Sequence, residues 1–287
     1  MTRERLSATI SRRTLVGALA VGAAGAAGTT QASRAANAHI DPRNPFGNFG
    51  TLYRKLRYRS DDGHLFWWLS GTKYGQIDNE LRPLHNLEAC AIIRVRSNAS
   101  GFDATSLEHV FYTDLETGRP LERMLNPFSG ELVQYRRTPA RVVTIHYDAD
   151  ASFALPETTG GSRVEFRRNK GILTRHGRDV WLQEDSSTTV TPVGGTPSRN
   201  NDWSTFCARS DDIGRTGANF VVATVHMQSL SSWQSWMKMG ERRGGLTSRI
   251  VGAKVARFDD VPASWRSMLH GAHPEVARDP LGALDAT

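Results

Sequence analysis

The sequence predicts an all-β fold, a large antiparallel barrel of the calycin or lipocalin kind with short helices. Three observations predict it. Apolar residues recur at period two in short runs, as in strands with one buried face, and helical spacing is scarce. Glycine-containing turns separate these runs at intervals of about 8–12 residues, which suits a sandwich or barrel. No strand–loop–helix unit and no internal repeat points to a parallel sheet or a solenoid. The chain has 287 residues, 39% of them apolar, with 11 Phe, 7 Trp and 6 Tyr, enough for one large core.

Residues 1–38 read as a leader. Ser11-Arg12-Arg13-Thr14-Leu15 precedes an apolar run rich in glycine and alanine over 16–28, and Ala36-Asn37-Ala38 offers a small-residue cleavage site. Paired arginines before a weakly hydrophobic run are the twin-arginine (Tat) pattern, so export to the periplasm or beyond is expected. The run is too short to span a bilayer, and no stable membrane anchor is expected. Five of the arginines lie in this leader against one glutamate, so the formal charge of +7 falls to about +3 from His39 onward. No Lys/Arg block remains that resembles a nucleic-acid footprint, which argues against a nucleic-acid partner.

Residues 39–50 carry turn formers at every second or third position and read as a loop. Residues 53–59 and 65–69 read as strands joined by Asp61-Asp62-Gly63. Residues 110–113 and 120–124 read as strands joined by Glu116-Thr117-Gly118. In 142–147, Val143, Ile145 and Tyr147 share one face, and Val142, Thr144 and His146 the other. Asn169-Lys170-Gly171 and His176-Gly177-Arg178 punctuate 164–183, residues 191–200 suggest a long loop, and 220–228 alternates again. Glycine supplies the positive φ that such hairpins need. Helix is confined to 262–271 and a short piece at 233–239. Residues 39–287 therefore read as a single barrel domain.

The chemistry-bearing residues allow two readings each. His146 has Thr144 and Asp148 on its strand face, and His226 has Thr224 and Gln228. If those faces line the lumen, His146, Asp148, His226 and Tyr112 make an acid/base set, with Asp148 orienting His146. If they face water, they are ordinary surface groups. Trp236, Met237 and Lys238 lie in an aromatic-rich stretch that either lines a ligand pocket or plugs the barrel, and Trp67 suits either role. No metal-ligand spacing and no phosphate-cradling loop occurs in the expected mature chain, so no metal and no cofactor is expected. Cys90 and Cys207 read as separate thiols. Ser235-Trp236-Met237-Lys238 matches the S-x-x-K of serine acyl-enzymes, but its companion motifs are in the wrong order.

Asn126-Pro127-Phe128-Ser129-Gly130-Glu131, after Asp114-Leu115-Glu116-Thr117-Gly118 and well before Trp236-Met237-Lys238-Met239-Gly240, resembles the bacterial family called domain of unknown function 1838. Its members carry an N-P-x-T-G-E hairpin and a W-x-K-M-G segment, often behind a twin-arginine leader. The resemblance runs from residue 47 to residue 269. Ser129 stands in place of the family's threonine, and Met124-Leu125 in place of an aromatic. The resemblance implies the barrel and brings no catalytic residues with it.

Two functions fit these readings. One is an exported barrel that holds a small hydrophobic or aromatic molecule and acts on it as a cofactor-free lyase, isomerase, hydratase or cyclase. The other is a non-catalytic periplasmic binding or carrier protein for the same ligand class. An inward His/Asp pair favours the first, and a purely apolar lumen the second.

Overall fold

The computed structural model describes residues 48–136, 140–154, 158–159, 162–168 and 171–285; the leader lies outside them. Helix α1 (Phe49–Arg57) precedes three long strands, β1 (Gly63–Ile77), β2 (Glu80–Ser97) and β3 (Gly101–Thr113). A small hairpin follows, β4 (Arg123–Leu125) with β5 (Leu132–Gln134). Next come β6 (Val142–Asp148), β7 (Thr158–Thr159), β8 (Ser162–Arg168), β9 (Ile172–His176), β10 (Asp179–Thr191) and β11 (Ser198–Arg209). Helix α2 (Ser210–Gly214), strands β12 (Thr224–Ser231) and β13 (Gly245–Val255), then α3 (Ala263–Ala272) and α4 (Pro274–Arg278) complete the order. One antiparallel sheet runs β6-β3-β2-β1-β13-β12-β11-β10-β8-β7, with β9 beside β10. It curls strongly into a half-barrel, so the all-β expectation holds.

The curl needs close backbone approach. A side chain at Gly71 would meet the Arg249 carbonyl oxygen at 2.1 Å, and one at Gly252 would meet that of Trp68 at 2.3 Å. Glycine at these two positions lets β1 and β13 bend across each other. Side chains bridge the seam between the sheet's edges. Phe153 packs on Tyr147 of β6 at 5.0 Å and on Phe166 of β8 at 5.7 Å. From α1, Tyr53 reaches Tyr147 at 5.8 Å.

Residues 53–59 are not the strand that the turn at 61–63 suggests. Asn48 caps a helix there, its side chain accepting from the Thr51 amide at 3.2 Å, and basic Arg54, Lys55 and Arg57 occupy the last turn. Leu52, Tyr53 and Leu56 then fall on one helical face and are buried. The helix is held from below by Lys254, whose Nζ donates to the carbonyls of Lys55, Leu56 and Tyr58 at 2.7–2.8 Å. Burial lowers the proton affinity of this amine, while three acceptors at the negative end of α1 favour the ammonium. The loop expected over 191–200 is also shorter, because β11 already begins at Ser198.

The sheet separates two apolar layers. Phe66, Cys90, Ile92, Leu107 and Phe111 on the outer face of β1–β3 pack under Trp265 and Leu269 of α3. The i, i+4 spacing of those two residues puts both on one helix face. Leu65, Trp67, Leu69, Ala91, Ile93, Phe206 and Val225 face the concave side. Cys90 and Cys207 are free thiols, the first buried and the second partly so. Among the described residues, no helix is long and apolar enough to cross a membrane.

Candidate functional site

The concave face holds a partly open cavity of about 70 Å³. Its apolar wall includes Trp67, Leu69, Phe153, Phe166, Phe206 and Val225. Strand alternation sends most intervening residues outward, although Asp185 also borders the cavity, and polar residues in phase with this wall enter it. Glu108 of β3, Glu184 and Ser186 of β10, and Asp202 and Ser204 of β11 do so.

Glu184 is held between two arginines. It accepts from Arg57 Nη1 on one oxygen, and from Arg168 Nε at 3.1 Å and Arg168 Nη2 on the other. Burial works against the Arg57 charge, but Glu184 and the surrounding tyrosines offset it and raise its proton affinity overall. Arg168 also donates to the Ala151 carbonyl at 3.1 Å, tying β8 to the loop after β6. Tyr58 and Tyr147 share a hydrogen bond of 2.8 Å, and Trp67 Nε1 donates to the Arg57 carbonyl at 2.7 Å. This wall is polar, but its charges are already paired.

The carboxyl groups of Glu108 and Asp202 are different. Burial raises the Glu108 pKa to about 7, with no cation to oppose it. Burial also raises Asp202 to about 7; Lys73 and a hydrogen bond from Asn200 oppose the rise, and Glu108 adds to it. The two groups are thus close enough to feel each other's charge, and both exchange protons near neutrality. In an aromatic-walled cavity such a pair can give a proton to one atom of a bound molecule and take one from another. Among the described residues, no three His, Cys, Asp or Glu side chains gather in a way that could hold a metal ion.

Apart from Trp67, the residues singled out from the sequence are distributed around this cavity rather than within it. Trp67 lines it. Tyr112 is buried on the same inner face, stacked on His85 at 4.0 Å. His146 lies on the outside of β6, its side chain 58% exposed and its Nδ1 2.7 Å from Asp103. Asp148 and His226 are exposed as well. Trp236 and Met237, buried in a 3₁₀ turn, pack beside the β4–β5 hairpin, and Tyr135 meets Trp236 at 5.7 Å. Lys238 is exposed and lies 3.9 Å from Glu131.

The two sequence motifs meet at this hairpin. Asn126 is fully buried and donates from Nδ2 to the Met237 carbonyl at 2.8 Å, while Arg242 donates to the Phe128 carbonyl. The profile of the family described as "Protein of unknown function (DUF1838)" matches residues 62–287. The chain belongs to this family. Among curated proteins, none matches it. In this DUF1838 member the N-P-F-S-G-E and W-M-K-M-G segments form one clamped cap, and the match also spans Glu108, Glu184 and Asp202. Sequence reasoning passed over those three carboxylates. The signal was their phase: Glu108 shares the parity of Phe102, Ala104 and Tyr112, and Asp202 that of Phe206.

Proposed function

We propose that the cavity binds a small hydrophobic or aromatic molecule and that Glu108 and Asp202 act on it by proton transfer. The observation that carries this reading is two carboxyl groups poised near neutral pH in one aromatic-walled cavity. Strands β3 and β11 set them in the cavity, so the pair is positioned before a ligand arrives. The reaction class is one that moves protons without a resident cofactor: a lyase, isomerase, hydratase or cyclase. The surrounding apolar wall supports a second reading, a carrier whose carboxyl groups only anchor the same ligand. We further propose that residues 1–38 direct twin-arginine export and that 39–287 work outside the cytoplasm as one domain.

Native mass spectrometry of the protein from its own cell envelope identifies a retained ligand. Incubating that molecule with the protein in D₂O then separates the readings. Deuterium entering a carbon position, and lost in Glu108→Gln and Asp202→Asn, supports proton transfer. Tight binding with no exchange leaves the carrier. A protein that retains no ligand and binds no aromatic probe refutes both.

A further inference from the structure

A row of residues crosses the inner face of five adjacent strands. His85 of β2 pairs with Lys73 of β1, Lys73 with Ser248 of β13, Ser248 with Ser229 of β12, and Ser229 with Asp202 of β11. All five are at most 4% exposed. Direct cross-strand neighbours have Cβ atoms about 5 Å apart, so the row is a continuous polar band. Lys73 Nζ, Ser248 Oγ, Ser229 Oγ and Asp202 Oδ1 meet no hydrogen-bond partner within the protein. The other Asp202 oxygen accepts from Asn200 at 2.5 Å.

Buried polar atoms are nearly always partnered, since taking them from water unpaired costs free energy. Four unpartnered atoms on consecutive strands mark a place built to meet a group from outside the chain. The register between β1 and β2 shifts at Lys73/Tyr74, right beside this row, and bulges commonly re-aim side chains at sites. Asp202 joins the row to the cavity, which it also lines. On the far side, the Tyr112 ring lies 5.8 Å from Lys73 Nζ, and Tyr135 links Tyr112 to Trp236 of the cap. The row thus stands between the cavity and the capped end.

We propose that this row is the polar end of the ligand site and selects an aromatic ligand with a phenolic or enolic hydroxyl. The hydroxyl oxygen accepts from Lys73, and its hydrogen goes to Asp202 Oδ1. Ser229 and Ser248 stand beside the same oxygen. This rests on the aromatic-cavity reading above and adds the ligand's class. A carboxylate head has no hydrogen for Asp202 and adds a third carboxyl group beside Asp202 and Glu108. An ether oxygen accepts from Lys73 but leaves an ionised Asp202 unpaired; the comparison is therefore made at pH 8, where Asp202 is charged and cannot donate to an ether or a carboxylate.

Three probes with one ring system test the row by calorimetric titration of the full chain: 2-naphthol, 2-methoxynaphthalene and 2-naphthoate. The expected result is at least about tenfold tighter binding of 2-naphthol than of the other two, because a site built to bond a hydroxyl rejects analogues that lack it. Lys73→Met and Ser248→Ala should each reduce that preference while binding of 2-methoxynaphthalene persists. The wild-type series needs no variant to fold, so it decides even if Lys73→Met does not. Equal affinity for all three probes, or a preference unchanged in both variants, overturns the row's role and leaves the cavity reading standing. Failure of all three to bind overturns the cavity reading itself.

Discussion

Glu184→Gln removes one negative charge from between two guanidinium groups while keeping the side chain's shape. The three side chains are only 8–11% exposed, so water replaces little of what is lost. Arg57 and Arg168 then face each other across a neutral amide in a low-dielectric wall, and the NH₂ that replaces one carboxylate oxygen cannot accept from the arginine on its side. Breaking a buried pair by removing one partner costs about 3–5 kcal/mol. For a domain of this size each kcal/mol lowers Tm by about 2–4 °C, so the melt should fall by about 6–20 °C. The damage should centre on the seam, since Arg168 also holds the Ala151 carbonyl. Urea denaturation of both proteins, followed by tryptophan fluorescence, measures the difference. The triple variant Arg57→Met, Glu184→Leu, Arg168→Met supplies the control, because an apolar replacement of the whole array should regain most of the loss. A Glu184→Gln stability within about 1 kcal/mol of wild type would refute the claim that this array holds the seam.

Three further outcomes follow from the same structure. Glu108 has a raised pKa in the native state, so its contribution is fully present below the unfolded value and is lost as pH rises to about 7. Relative to Glu108→Gln, wild-type stability should therefore drop by about 2–3 kcal/mol between pH 4.5 and 8, and parallel pH profiles would contradict this. Lys254→Met strips the donor from three buried carbonyls at the end of α1 and should cost about 3 kcal/mol or more, with proteolysis appearing first near residues 49–57. Trp236→Ala opens a gap in the cap rather than in the cavity wall, so it should cost about 3–5 kcal/mol while leaving probe affinity close to wild type in the folded fraction.

The fold was legible because strand alternation and glycine turns are local signals. Gly118 and Gly177 do adopt φ of 64° and 59° in the turns read from their neighbours. Residues 53–59 misled because their apolar residues satisfy either period, and only the Asn48 cap and the buried Lys254 decide for a helix. The site was less legible because alternation divides a strand into two faces without saying which is inside. In β6 the face with Ile145 and Tyr147 turned inward, which left His146 in solvent. The same rule, applied to β3 and β11, puts Glu108 in phase with Phe102, Ala104 and Tyr112, and Asp202 in phase with Phe206 and Ala208. That Lys73, Ser248, Ser229 and Asp202 form one row depends on which strands pair, and pairing of β1 with β13 is a long-range fact no local pattern carries.

The central claim is that Glu108 and Asp202 share a cavity that keeps their protons near neutral pH. Carbon-13 NMR titration of the side-chain carboxyl carbons, assigned with Glu108→Gln and Asp202→Asn, tests it most directly. Both carboxyl groups should titrate around pH 7, with the midpoint of each falling when the other is neutralised. Midpoints near 4 for both, unchanged by either substitution, would contradict it.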